Sequence, residues 1–429
     1  MKIIAKQTIF IVIALALIVT FPYIKEFTAD KFDAEAVPAA EITAEPETEQ
    51  PQETQVTEPV IETTVTDNEN LLDEEQKALL LQYAQIYAES ITSLEPGNVK
   101  PLYYDGESKA GRLNAAAFEV ICAVRKMSDD DLTLEKCAVN YDIKQVYGYN
   151  GRVTVVLMED NVQKFKFLDQ PSESYIIYHE FVLAQKDDGW YIVSHRHDED
   201  FYLLTEEAWP LYKAATEKET AESVVAAIIA DAEENVQWEK DNYLNKTEEK
   251  TADDTSYNTE EAVKYAHEWV GERNYTGAYL AYDDFGGNCQ NFASQCLYAG
   301  GLDMDVKGYS ASQWKFYSKT LNEYQSASGR SYSWTGVVPF FDYCEANTGK
   351  GLVTHTDWGT AYTEVGDIIQ VGAMHQWRHS LFVTDVIYDD NGYAQQIIVA
   401  SNTADRINYP LSAYIYTAPR LIHIVGQNV

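Results

Sequence analysis

Gly286-Gly287-Asn288-Cys289-Gln290-Asn291-Phe292-Ala293-Ser294-Gln295-Cys296-Leu297 is the stretch on which the reading of this chain turns. Two glycines lead into a cysteine, and the residues after it carry a helical pattern. Phe292, Ala293, Cys296 and Leu297 stand three, four, seven and eight positions beyond Cys289, which is the stripe of a helix facing a core. A loop turning sharply into that helix puts the sulfur at a helix N-terminus, where free N–H groups and the dipole favour the thiolate. The plainer reading makes Cys289 the first residue of the stripe. The preceding Gly-Gly pair argues against it, because it serves no core purpose and permits close approach of a substrate.

A cysteine nucleophile needs a base. His379, in Trp377-Arg378-His379-Ser380-Leu381-Phe382-Val383, opens a predicted strand ending near Tyr388. Asp389-Asp390-Asn391-Gly392 then reads as a turn and Gln395–Ser401 as the return strand. A hairpin centred between Asp390 and Asn391 sets Asn402 opposite His379, where its carbonyl can accept a ring N–H and fix the tautomer. His375 competes as base but lies in a loop without a facing partner, and His355 reads as a loop residue. Cys and His could also serve zinc, yet no C-x-x-C or H-x-x-x-H pair closes a four-ligand set, so no metal is expected.

The Gly286–Leu297 stretch resembles the signature of the Putative amidase domain of bacterial surface proteins, which is similar to papain-like cysteine peptidases and their cell-wall branch. Ser333-Trp334-Thr335, Val365-Gly366-Asp367-Ile368-Ile369-Gln370, His379-Ser380 and Tyr409-Pro410-Leu411-Ser412 follow in family order over about residues 256–426. The resemblance implies Cys289 as nucleophile, His379 as base and Asn402 as polar third member. Two positions depart from the family pattern: Asn288 stands where Asp is usual, and Asn402 where His is frequent. The Cys289 N–H at the helix start is an oxyanion donor in this reading.

Outward from the site, Asn258 with Glu261 three positions on is an N-cap pattern opening a helix at the start of a domain over 256–429. Residues 206–255 read as a charged helical linker with a short helix at 224–232. Residues 71–205 read as a small α+β domain: helical spacing over 71–94 and 113–127, then strands at about 137–149, 152–158, 173–186 and 189–195. Their order resembles a nuclear-transport-factor-2-like cone. His195-Arg196-His197-Asp198 reads as a solvated strand end. Residues 29–70, rich in Pro, Glu and Thr, read as a disordered acidic stalk. The fold class expected is therefore α+β: a papain-like C-terminal domain with N-terminal helices and an antiparallel sheet, preceded by the smaller domain, the stalk and an N-terminal membrane helix.

That last element rests on Thr8–Ile24, seventeen uncharged residues behind Lys2 and Lys6. It reads as a signal anchor over 1–28 with the bulk of the chain outside the cell, or else as a signal peptide cleaved on secretion. Thirty-two basic against 68 acidic residues give a formal charge of −36, which excludes nucleic acid as partner. Five cysteines in an exported chain make no disulfide framework, and Cys122, Cys137 and Cys344 read as small buried hydrophobes. The function expected is a membrane-tethered cysteine amidase acting on cell-wall peptide or a peptide-like amide, without cofactor. The alternatives are an acyltransferase or transpeptidase using the same acyl-enzyme, and a catalytically silent surface binding module.

Overall fold

The structure, a computed structural model, describes residues 58–429 apart from 187–188, 275–278, 284–285, 307–311 and 317–329. The expected membrane helix and the stalk as far as residue 57 lie outside the described residues. Among the described residues no helix is long and apolar enough to cross a membrane. Residues Thr57–Val429 form one compact unit.

The chain is α+β, built on one large, mostly antiparallel sheet. Strand β1 (Val60–Thr66) is followed by helices α1 (Glu74–Ser93) and α2 (Lys109–Arg125). Strands β2 (Leu134–Tyr149), β3 (Arg152–Phe165), β4 (Ser172–Lys186) and β5 (Gly189–His197) come next. After α3 (Asp200–Ala208), α4 (Glu217–Asn242), α5 (Thr259–Trp269) and α6 (Cys289–Ala299) comes α7 (Val337–Ala346). The chain closes with β6 (Gly351–His355), β7 (Ile368–Ala373), β8 (Gln376–Tyr388), β9 (Ala394–Ser401), β10 (Asp405–Pro410) and β11 (Ala418–Asn428). The sheet order is β1-β2-β3-β4-β10-β9-β8-β7-β11-β6, with β5 beside β4.

The seam is β4. Its first residues pair with β10, Ser174 against Arg406, while its second half pairs with β5. Ile176 adopts a positive φ of 59° where the strand changes partner, and its N–H is held by the Asp160 carboxylate at 3.0 Å. The strands of the 71–205 region thus run without a break into those of the C-terminal region.

Two apolar clusters lie on opposite sides of β8. Phe382 packs with Phe292, Cys296 and Trp334 beneath α6. Leu381 and Val383 pack in the larger cluster with Phe118, Val139, Phe181 and Ile228.

Several expectations change. The stalk does not run to residue 70: Val60-Ile61-Glu62-Thr63-Thr64-Val65-Thr66 pairs in parallel with β2, its β-branched residues alternating between exposed and half-buried. The linker is not a short helix between charged coils. α4 runs 26 residues from a Thr216/Glu219 capping box and buries Ala221, Val224, Ile228 and Ala232 as one stripe. Its second half and C-cap are fastened to the C-terminal region, where Asp231 accepts the Met374 N–H at 2.7 Å and the Tyr243 hydroxyl donates to Ala394 O at 2.7 Å. His195 and His197 are not solvated. Both are buried, and their rings stack in parallel with each other and with His179 at 4.8 to 5.1 Å.

Candidate active site

The loop before α6 is shaped by its glycines. Gly286 and Gly287 adopt φ of 104° and 118°, where a Cβ would strain the backbone. The Gly287 N–H closes the turn on Tyr282 O at 3.2 Å. Asn288 is then stitched in from both sides. Its N–H donates to the Thr403 hydroxyl at 2.6 Å, and its side-chain carbonyl accepts from the Tyr282 N–H at 3.1 Å and from Asn291 Nδ2 at 2.8 Å. Cys289 follows as the first residue of α6, and every residue from Cys289 to Leu297 is buried. The helix is covered on all sides, beyond the single stripe its spacing predicts.

The sulfur is buried against strand β8. Burial pushes the Cys289 thiol up to about 11, outweighing the N–H groups of Ser380, Gln290 and Cys289 itself, which donate to the sulfur and favour the thiolate. The Ser380 N–H belongs to the peptide joining it to His379, so nucleophile and base candidates meet through that peptide.

The His379 ring itself turns to the other face of β8. Ser380 donates from its hydroxyl to Gln290 Oε1 on α6 at 2.7 Å, and strand alternation sends its neighbour the opposite way. There the imidazole lies 6.1 Å from the Tyr414 ring, and its Nε2 is buried without a hydrogen-bond partner. Burial pushes His379 down to about 4, with the Asp200 carboxylate opposing and the Arg406 guanidinium adding to the shift. At neutral pH the resting pair is therefore a thiol and a neutral imidazole.

Asn402 does not orient His379. Its carbonyl accepts from Asn288 Nδ2 at 2.9 Å and its Nδ2 donates to Val270 O at 2.6 Å. The expected register would have set Phe382 opposite Val399, whereas Phe382 faces Ala400 and Val383 faces Val399. A slip of one residue changes the face on which a side chain emerges. Asn402 instead grips the residue before Cys289, so the two positions that depart from the family pattern touch each other. His375 sits exposed in the two-residue turn between β7 and β8, with φ of 58°. His355 ends β6 rather than lying in a loop, and stacks on Trp358 at 3.8 Å.

Several supports were not evident from residue spacing. Gln290, Ser380 and Gln370 form a buried neutral cluster joining α6 to the sheet, closed by Arg420, whose Nε reaches Gln370 Oε1 at 2.9 Å. Arg273 clamps Asp283 through Nε at 2.9 Å and Asp405 through Nη1 at 2.8 Å, tying the glycine loop to the turn that carries Asn402 and Thr403. That turn is strained, with Thr403 and Ala404 at φ of 67° and 52°. The available sequence signal was the run of polar residues in the helix after the cysteine, Gln290, Asn291, Ser294 and Gln295, too many for one exposed face.

Residues 256–425 match the family described as Putative amidase domain. The chain is also similar to an uncharacterized protein, YhbB, of Bacillus subtilis (strain 168), 28% identical over 169 residues. That match covers 38% of this chain and 44% of the relative, less than half the relative's length. No solved structure matches.

Proposed function

We propose that the chain is an exported, membrane-tethered cysteine amidase that cleaves an amide of cell-wall peptide or a similar substrate through a thioester. The observation that carries this is the Cys289 sulfur at the start of α6, among the N–H groups of Cys289, Gln290 and Ser380. In the reaction, the His379 ring must first turn from the Tyr414 side of β8 to the sulfur's side; it then takes the thiol proton, and the sulfur attacks the amide carbonyl carbon. The Cys289 N–H stabilises the oxyanion that forms. The C–N bond breaks, His379 returns the proton to the leaving amine, and a thioester remains. Water, deprotonated by His379, then adds to the thioester. The acyl group leaves as a carboxylic acid, and the proton returns to the sulfur. Burial lowers the imidazole pKa and raises the thiol pKa, and both shifts oppose the proton transfer in the resting protein, so the mechanism requires the His379 ring to leave its buried position before it acts as base. Asn402 acts as a positioning residue through Asn288.

Papain-like architecture for residues 256–429 and a nuclear-transport-factor-2-like cone for 71–205 belong to the same proposal. So does export by residues 1–28, with the catalytic part held outside the membrane. The test is digestion of purified peptidoglycan with wild type and Cys289→Ala, the products identified by mass spectrometry. New amine and carboxyl ends released only by wild type are expected. Identical products from both proteins, or none from either, would overturn the cell-wall reading.

A further inference from the structure

A cavity of about 520 Å³ opens where the C-terminal end of α2, the second half of α4, β9 and the 411–419 segment converge. That volume lies in the range of small-molecule sites, roughly 300–1,000 Å³. Neither Cys289 nor His379 lines it. Its walls mix apolar side chains, among them Val236, Ile397 and Leu411, with the tyrosines Tyr243, Tyr414 and Tyr416. Three carboxylates also line it, Asp129, Asp130 and Glu239, against a single basic residue, Lys240.

The charges do not cancel. Lys240 Nζ is spent on Asp129, meeting both carboxylate oxygens at 2.9 Å on the exposed rim. Asp130 accepts only a neutral donor, Gln396 Nε2 at 2.5 Å, and Glu239 accepts the Thr360 hydroxyl. Among the described residues neither Asp130 nor Glu239 has an ion-pair partner. Burial raises the Glu239 carboxyl pKa, which shows how poorly water solvates it there. On the same wall the Ser412 hydroxyl is shielded from solvent without a hydrogen-bond partner. The Tyr414 and Tyr416 rings already carry Arg406 and Arg378 over them, so the attraction for a cation rests on the carboxylates. Unpaired carboxylates in a largely apolar recess attract an organic cation: the carboxylates supply the counter-charge and the apolar wall takes up a hydrocarbon body.

We propose that this cavity binds a small amphipathic cation, a primary ammonium carried on an apolar chain, with Glu239 and Asp130 as its counter-ions. The ammonium donates to the two carboxylates while the chain lies along Val236 and Ile397. Tyr414 stands between this cavity and the His379 ring, 6.1 Å from the latter, but Cys289 and His379 do not line it, so its binding is measurable whether or not the cysteine chemistry is correct.

The test uses the full chain and three six-carbon probes of similar shape: hexylammonium, hexanol and hexanoate, titrated by calorimetry. Hexylammonium is expected to bind at least ~10-fold more tightly than the other two, which corresponds to ~1.4 kcal/mol. Glu239→Gln and Asp130→Asn are each expected to weaken it several-fold, and Val236→Trp to abolish binding by filling the space. Equal affinity for the three probes would overturn the proposal, since the recess would then be merely apolar. Failure of hexylammonium to bind would overturn it as well. So would an unchanged affinity in the Glu239→Gln, Asp130→Asn double variant, which would place the cation elsewhere on an acidic chain. The two isosteric changes keep the test valid if Val236→Trp does not fold.

Discussion

Two buried polar regions sit on opposite faces of β8, and they are made of different chemistry. Beneath α6 the groups nearest the thiol are neutral, with charge only at the edges on Arg420 and Arg273: Gln290, Ser380 and Gln370 share hydrogen bonds, and Asn288 pairs with Asn402. Across the strand the groups are ionic. Arg406 is fully buried and donates to Asp200 at 2.5 Å and to Glu199 at 3.0 Å, while Tyr87 completes Glu199 at 3.0 Å. Arg125 reaches Gln163, Tyr409 and Ala413 O, and the chain continues through Asn161 to Glu159 and His179. The neutral side holds a sulfur without fixing its charge state. The ionic side lies nearest the His379 ring and fixes the field in which that ring titrates. Geometry is supplied from one face, and electrostatics from the other.

The largest expected effect lies on the ionic face. Arg406→Ala strands two carboxylates and should cost about 3–5 kcal/mol of stability in a chemical-denaturation midpoint. Gln290→Ala on the neutral face should cost about 1–3 kcal/mol, since it strands hydroxyl and amide groups only. The reverse order would break the comparison.

Next comes pH. His379 folds with its pKa near 4 against an ordinary value of 6.5. Between those values the unfolded chain binds a proton that the folded chain refuses. Stability should therefore fall as pH drops from about 6.5 to 4, by up to about 3 kcal/mol from this residue, and level off below. His379→Gln should flatten that part of the slope, and an unchanged slope would show that the ring is not buried as described. On the other face the prediction runs through the thiol. With Cys289 near 11, its alkylation by iodoacetamide should keep rising from pH 7 to beyond pH 10. A plateau below pH 7 would reveal a thiolate–imidazolium pair instead.

The smallest effect is the most specific. Asn288→Ala and Asn402→Ala should show a coupling of about 1 kcal/mol in a double-mutant cycle. Additivity within error would mean that their 2.9 Å contact does not connect the turn to the glycine loop.

Much of this was legible because local rules sufficed. The Asn258 cap, the start of α6 at Cys289 and the helix-then-strand order of 71–197 follow from spacing and breakers that act within a few residues. What failed needed distant partners. Val60–Thr66 pairs with β2 from inside an acidic low-complexity run, so composition concealed it. The stripe of α4 was hidden by charges on its other faces. His195 and His197 read as solvated because other elements cover them: Tyr83 on α1 and Asn114 on α2 over His195, and Phe201 and Tyr202 on α3 over His197. The register at the site slipped because the β8–β9 hairpin carries irregularities between Val383 and Asp385 and again after Ile387. Counting outward from the turn cannot anticipate them.

The central claim is that Cys289 carries the acyl group. Wild type incubated with muropeptides, quenched in acid and mapped by mass spectrometry should show an acyl adduct on the peptide containing Cys289, removable by neutral hydroxylamine. Amide cleavage that persists in Cys289→Ala, with no adduct on that peptide in wild type, would contradict the account.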